Sequence, residues 1–231
     1  DARDTLGRLT RSNDSGSHAE QKRITELAVR WRIAILLAVI TTINYVDRSV
    51  FGVVAPVIRG EFNINDADYG LITSGFLFAY AVGQLISGPL VDRLGTKRAF
   101  SMAAIFWSLA TMLHALGRGL WSFFTLRVVL GLAEAANFPA ASKAVAQWFP
   151  ASERTTAVAI FMLGAGLGAI ITPPLTVWTM QSLGWQWAFI VPGSLGLVWV
   201  WLWQRWYHMP ETHPTVDPAE QSLILENRSS Q

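Results

Sequence analysis

The chain has 231 residues, 52% of them apolar and 15% charged, with a mean hydropathy of +0.33. That mixture is foreign to a water-soluble single-core domain, and at ~20 apolar residues per crossing it accommodates six membrane spans with a short polar segment at each end. A net charge of +2 gives no general attraction to nucleic acid, and the absence of cysteine excludes disulfides, thiolate metal sites and cysteine nucleophiles.

Residues 1–19 are polar, rich in Ser and Asp and without an apolar period, and are expected to form a disordered tail. Ile24, Leu27, Ala28 and Trp31 then recur at helical spacing among Lys22, Arg23, Glu26 and Arg30. This is the pattern of an amphipathic helix on a membrane surface, or of a helical lead-in to a span. Six apolar stretches follow, at 33–57, 69–91, 99–116, 120–145, 157–183 and 187–207. Each is long enough to cross a bilayer and none alternates apolar with polar as a barrel strand does. The fold class is therefore an all-α membrane protein, a six-helix transmembrane bundle. The chain divides into tail and cytoplasmic lead-in (1–30), six-span domain (31–207) and a polar, proline-containing cytoplasmic segment (208–231). Its 11 tryptophans are expected as interfacial belts.

Lysine and arginine set the orientation. One side of the spans collects Lys22, Arg23, Arg30, Arg32, Arg93, Lys97, Arg98, Arg154 and Arg205, and the other only Arg59 and Arg118. By the positive-inside rule both ends of this segment are cytoplasmic, in a cell (inner or plasma) membrane. Glu61, Asp66 and Asp68 of the first outer loop read as a solvated turn rather than a cation site, and no metal or cofactor is expected.

The second, third and fifth spans hold no Asp, Glu, Lys or Arg, whereas the first carries Asp47 and Arg48 and the fourth Arg127 and Glu134. A charge at mid-bilayer costs ~2.5–3.5 kcal/mol on insertion scales, so such residues mark a pathway rather than an accident. Arg127 and Glu134 are about two turns apart and share a face that Asn137 extends. By depth, Asp47 and Glu134 come within about two turns of each other, as do Arg48 and Arg127, and four charges facing one cavity sum to zero. A closed ion-pair network gluing helices together is the competing reading. Asn44 stands on the face of Arg48 with Tyr45 beside it, and Thr73, Tyr80, Gln84 and Ser87 form a polar stripe on the second span. Lys143 is expected to snorkel. His114 has no acidic neighbour in sequence reach and reads as a hydrogen-bonded or snorkelling residue, not a base.

Gly164-Ala165-Gly166-Leu167-Gly168 formally matches a dinucleotide fingerprint but lies inside an apolar span with no preceding strand, so it reads as close helix packing, as do Gly75, Ala79 and Gly83. Pro173-Pro174 is expected to interrupt the fifth helix. Between the second and third spans runs Gly88-Pro89-Leu90-Val91-Asp92-Arg93-Leu94-Gly95-Thr96-Lys97-Arg98. It resembles the loop signature of the major facilitator superfamily, Gly-x-x-x-Asp-Arg-x-Gly followed by basic residues, with Thr96 where a basic residue is often found. Gly88, Asp92, Arg93, Gly95 and Arg154 are the expected latch, with Asp92 near a helix N-terminus and paired with cytoplasmic arginines.

Further motifs narrow the resemblance. Asn44-Tyr45-Val46-Asp47-Arg48, Arg127 with Gly131-Leu132-Ala133-Glu134-Ala135, Phe138-Pro139, Trp148-Phe149-Pro150 with Glu153-Arg154, and Pro173-Pro174 resemble the anion:cation symporter family of that superfamily. The resemblance implies proton-coupled import of a small organic anion such as a hexuronate, aldonate or aldarate. It implies Arg48 on the substrate carboxylate with Tyr45 and Tyr80 nearby, and Asp47 and Glu134 as carriers of the coupling protons. Asn44, Gln84 and Arg127 complete the expected substrate-binding set. Members have twelve spans in two halves, so the chain corresponds to an N-terminal half of a major facilitator fold. A second six-span half, on the same polypeptide or another, would complete the site. A carrier of another organic anion, a drug exporter, and a non-transporting receptor or scaffold pairing through its glycine faces are the competing readings.

Overall fold

The computed structural model describes residues 28–229, so the tail and most of the amphipathic lead-in lie outside it. Its elements are α1 (Val29–Phe62), α2 (Asp66–Leu94), α3 (Thr96–Leu113) with a 3-10 turn His114–Leu116, α4 (Leu120–Glu134), α5 (Asn137–Trp148), α6 (Ala151–Leu183), α7 (Trp187–Trp206) and, after a 3-10 turn Pro210–Thr212, α8 (Pro218–Ser229). Among the described residues there is no strand. α1, α2, α3 with its 3-10 turn, α6 and α7 are each long and apolar enough to cross a membrane.

The fourth crossing departs from the single helix expected at 120–145, because it is built from α4 and α5 end to end. Pro139 is the cause. It has no N–H to give the carbonyl four residues back, that of Ala135, and its ring crowds that carbonyl. Ala135 and Ala136 keep right-handed helical dihedrals (φ −58°, ψ −24° and φ −75°, ψ −13°), so the crossing bends without reversing. Ser87 Oγ of α2 lies 3.4 Å from the Ala135 carbonyl oxygen and supplies a donor in place of the missing one. Pro173 and Pro174, by contrast, do not interrupt α6, which runs unbroken through them. Both prolines sit on the exposed side of a helix that is clamped along its other side by Gly164, Gly168 and Thr172, so packing overrides the local preference.

Turn chemistry sets the ends. α1 stops at Asn63 in the left-handed conformation (φ 53°), and α2 begins with a capping box in which the Asn65 side chain accepts from the Asp68 N–H and the Asp68 carboxylate accepts from the Asn65 N–H. Asp66 pairs with Arg59, and Glu61 accepts from Trp185 Nε1 at 2.8 Å, so the acidic connection between α1 and α2 is engaged in its own folding. Gly95, at φ +78°, is the single residue joining α2 to α3.

Three helix pairs make the bundle, α1 with α6, α2 with α4, and α3 with α7, and each is closed by glycines. A Cβ on Gly168 would stand 2.6 Å from Tyr45 Cβ and 2.7 Å from the Thr42 carbonyl oxygen; one on Gly131 would stand 2.6 Å from the Phe76 carbonyl oxygen; one on Gly193, 2.7 Å from that of Ser108. Lipid offers no hydrophobic drive between helices, so such backbone approach is what holds crossings together. These faces are occupied within the chain and are not available for pairing two copies, as the scaffold reading requires. Gly131→Val is therefore expected to lose about 2–3 kcal/mol from overpacking, seen as a lower midpoint of thermal inactivation in detergent, while Gly166→Val, whose Cβ meets nothing, leaves it unchanged.

The tryptophans divide between two roles. Trp107, Trp148, Trp199 and Trp203 are fully buried, and Trp199, Trp203 and Tyr207 stack in a column along α7 with ring centroids 5.0 Å and 4.0 Å apart. Trp199 Nε1 donates to the Leu36 carbonyl at 2.8 Å, tying α7 to α1. Trp185 is buried as well, and Trp121, Trp178, Trp187, Trp201 and Trp206 are exposed as a belt needs. Leu85, Phe78 and Ile170, each more than 70% exposed, stand on an outer surface that only lipid or another apolar body covers without penalty.

Candidate functional site

Arg48 of α1 is the centre of the site. Its Nε donates to Glu134 Oε2 of α4 at 3.0 Å, a pair in which Glu134 is wholly buried and the Arg48 side chain keeps 23% exposure. The guanidinium lies 4.3 Å from the Tyr80 ring centroid, 5.1 Å from that of Tyr45 and 5.4 Å from that of Phe76. Three aromatic faces thus hold the cation by cation–π attraction while Nη2 has no hydrogen-bond partner. Tyr45 is itself set edge-on against Phe138, beside the proline that bends the fourth crossing.

Arg127 is packed deeper than Arg48. It is 5% exposed, donates through Nη1 to the Arg48 carbonyl oxygen at 3.3 Å, and lies 4.1 Å over Phe76 and 5.1 Å from Phe51. Phe76, which the polar stripe passed over, therefore separates and orders both guanidinia. Its signal was its position four residues before Tyr80 on the same face. The Arg127 contacts position Arg48, and no carboxylate among the described residues forms an ion pair with Arg127.

Asp47 and Asn44 share a face of α1, and both are fully buried with neither side-chain oxygen nor amide nitrogen bonded. The expected cluster of four charges thus holds one ion pair, a second arginine held by rings and a backbone carbonyl, and a carboxylate without a partner among the described residues. Asn137 Nδ2 lies 3.4 Å from Thr41 Oγ1, which joins α5 to α1 one turn beyond Asn44. The stripe on α2 divides: Tyr80 faces Arg48, Gln84 is half-buried, Thr73 Oγ1 turns back to the Tyr69 carbonyl, and Ser87 serves Ala135. His114 is buried, not snorkelling. Its Nδ1 lies 2.7 Å from the Ala110 carbonyl oxygen, so that nitrogen carries the hydrogen, and the ring stacks on Phe189 at 5.2 Å.

At the other end of α2, the latch residues have different partners from those expected. Asp92 lies in the last turn of α2, where its carboxylate receives Lys143 Nζ of α5 at 2.7 Å. Lys143 also donates to the Val91 carbonyl at 3.2 Å, so it bridges two helices instead of snorkelling. Arg154 donates to the Phe149 and Ala146 carbonyls and caps the end of α5. Gly88 is half-buried, Arg93 is exposed, and Gly95 makes the turn. A second clamp was not foreseen. Arg30 pairs with Glu153 of α6 at 2.7 Å and with Glu220 of α8 at 3.0 Å, and Glu220 accepts from the Val29 and Arg30 N–H groups, capping α1. Ile224 of α8 is buried against the bundle.

A helical bundle of apolar crossings with an aromatic-lined arginine and buried carboxylates at its centre is a multi-pass membrane protein. The chain belongs to the Major Facilitator Superfamily, whose sequence profile matches residues 37–229. It is 34% identical over 203 residues to the galacturonate transporter of Dickeya chrysanthemi, covering 88% of this chain and 59% of that protein. It is also 34% identical to the hexuronate transporter of Escherichia coli (strain K12), with 88% and 47% covered, and 35% identical to the probable galactarate/D-glucarate transporter of Bacillus subtilis (strain 168), with 85% and 45% covered. The chain spans about half the length of the curated relatives it matches. Among solved structures it superposes on a bacterial homologue of the human lysosomal transporter Spinster, inward-facing and unoccupied, with a TM-score of 0.72 at 23% identity, covering 84% of this chain and 46% of that one. The inward-open xylose transporter XylE from E. coli gives a TM-score of 0.73 at 14% identity, with 87% and 56% covered. These likenesses carry the fold: one six-crossing half of a major facilitator protein.

Proposed function

We propose that this chain is the N-terminal six-span half of a proton-coupled importer of a small sugar acid, a hexuronate or a close aldonate or aldarate. The observation that carries the reading is Arg48, anchored through Nε by Glu134 and held between Tyr45 and Tyr80 with Nη2 unbonded. A guanidinium edge offers two donors in the geometry of a carboxylate, and in a low-dielectric chamber that match is strong. The tyrosine rings and Gln84 suit the ring and hydroxyls of a sugar. The names of the relatives, transporters of galacturonate, hexuronates and galactarate/glucarate, support the same substrate class.

The coupling follows from charge balance. With Asp47 and Glu134 ionised and both arginines charged, the chamber is neutral, and an arriving anion would leave it negative. Protonation of a carboxylate restores neutrality, and protonation of Glu134 releases Arg48 for substrate. Asp47 has no donor or cation in contact. Burying an unpaired ion costs far more than burying the neutral acid, so it is the second group suited to a proton. A second six-span bundle, from the same polypeptide or another chain, closes the chamber, and the two rock about the site with both ends of this segment cytoplasmic.

Uptake of labelled galacturonate by the complete carrier in proteoliposomes tests the substrate class. Unlabelled galacturonate and glucarate are expected to compete and glucose is not; equal competition by glucose would overturn the reading. The Asp92–Lys143 clamp is proposed to hold one end of the bundle in one state of the cycle. Asp92→Asn and Lys143→Gln are each expected to slow turnover several-fold with KM unchanged, and the double variant to be no slower than either. Because Asp92 is largely exposed, the stability change stays within about 1 kcal/mol.

A further inference from the structure

Where α1 begins and α7 ends, a cavity of about 540 Å³ opens between the two helices, away from the charged centre. Ile33, Leu36 and Trp206 form an apolar wall, and Arg32, Arg205, His208 and His213 stand around it. Both arginines are exposed, and neither has an ion-pair or hydrogen-bond partner among the described residues. The contrast with Arg30 is direct, since Glu153 and Glu220 are both engaged by that neighbour, and among the described residues no carboxylate lines the cavity.

The histidines have separate roles. His213 Nδ1 accepts from the Thr215 N–H at 3.3 Å, so Nε2 carries the hydrogen and donates to the Trp206 carbonyl at 3.2 Å. Burial pushes the His213 imidazole below its ordinary range, so it is a neutral, fixed wall at pH 7. His208 Nδ1 is buried with no partner. The cavity therefore presents two guanidinia, without a partner among the described residues, above an apolar floor. That floor is continuous with Ile35, Val39 and Trp206, which are 48%, 42% and 53% exposed on the outer surface of the bundle.

We infer that this cavity is a binding site for an anionic phospholipid: Arg32 and Arg205 take the phosphate oxygens, and the acyl chains descend the groove between α1 and α7. Charge complementarity selects the headgroup, since two guanidinia match the two unesterified oxygens of a phosphodiester. The apolar floor selects a lipid over a soluble phosphate, which would leave that surface uncovered.

Native mass spectrometry of the delipidated protein in detergent, with dioleoyl-phosphatidylglycerol or dioleoyl-phosphatidylcholine added, tests the site. The wild type is expected to retain phosphatidylglycerol at about tenfold lower concentration than phosphatidylcholine. R32Q/R205Q is expected to lose that preference while still retaining phosphatidylcholine, which shows the bundle intact, and each single variant to fall between. R93Q/R98Q, removing equal charge elsewhere at the same end, is expected to keep the preference. Excess inorganic phosphate is expected to leave the lipid bound. Equal retention of both lipids by the wild type, a preference that survives R32Q/R205Q, or displacement by phosphate alone would each overturn the assignment.

Discussion

Replacing Arg48 with glutamine is expected to lower galacturonate uptake by at least about 100-fold, because two charge-assisted hydrogen bonds to a carboxylate together contribute ~3 kcal/mol or more. The same change leaves Glu134 buried without its partner, which costs about 3–5 kcal/mol, so R48Q also loses thermal stability. R48Q/E134Q separates the two effects. Removing both charges is expected to restore the midpoint of thermal inactivation in detergent and to leave uptake absent. Recovered uptake in the double variant would mean that Arg48 serves only to neutralise Glu134. Arg48→Lys keeps the charge but not the planar fork, and is expected to transport weakly with a raised KM.

Glu134→Gln is expected to separate exchange from accumulation. The amide oxygen still accepts from Arg48 Nε, so the guanidinium stays in place between Tyr45 and Tyr80. What is lost is a group able to alternate between charged and neutral forms. Proteoliposomes of the complete carrier under an acid-outside gradient are expected to accumulate substrate with wild-type protein and only to equilibrate it with E134Q. Exchange of internal for external galacturonate is expected to stay within about twofold, because no net charge need cross a potential worth ~2.3 kcal/mol per unit charge per 100 mV. Gradient-driven accumulation by E134Q equal to the wild type would reject the coupling role. Asp47→Asn makes a useful companion, since Asp47 has no ion pair to lose.

The crossings were legible because a bilayer demands length and apolarity, and both are written linearly in the chain. The bend after Glu134 was not, since Pro139 lies within an apolar run that hydropathy treats as continuous, and only the loss of one N–H at the Ala135 carbonyl breaks it. Asp47, Arg48, Arg127 and Glu134 were legible as one cluster because charges inside spans are few, but depth set Arg48 beside Arg127 and Asp47 beside Glu134, whereas the ion pair joins Arg48 to Glu134. How Arg127 and Asp47 are housed was not. Which side of a helix meets a ring, a carbonyl or nothing depends on rotation about its axis, and Phe76, an apolar residue, decides it for Arg127. Lys143 misled for a related reason. A basic residue near a span end has water within reach, and only the approach of α2 shows that Asp92 is nearer.

The glycine seams bear on how such a body works. Where backbone rests on backbone, as at Gly131 against Phe76 or Gly168 against Thr42, no flexible side chain lies between the helices to take up a shift. Sliding one member of a pair past the other would force atoms through each other. A body built this way is stiff from within, and in the transport cycle proposed above the motion that would expose Arg48 first to one compartment and then to the other falls to its borders.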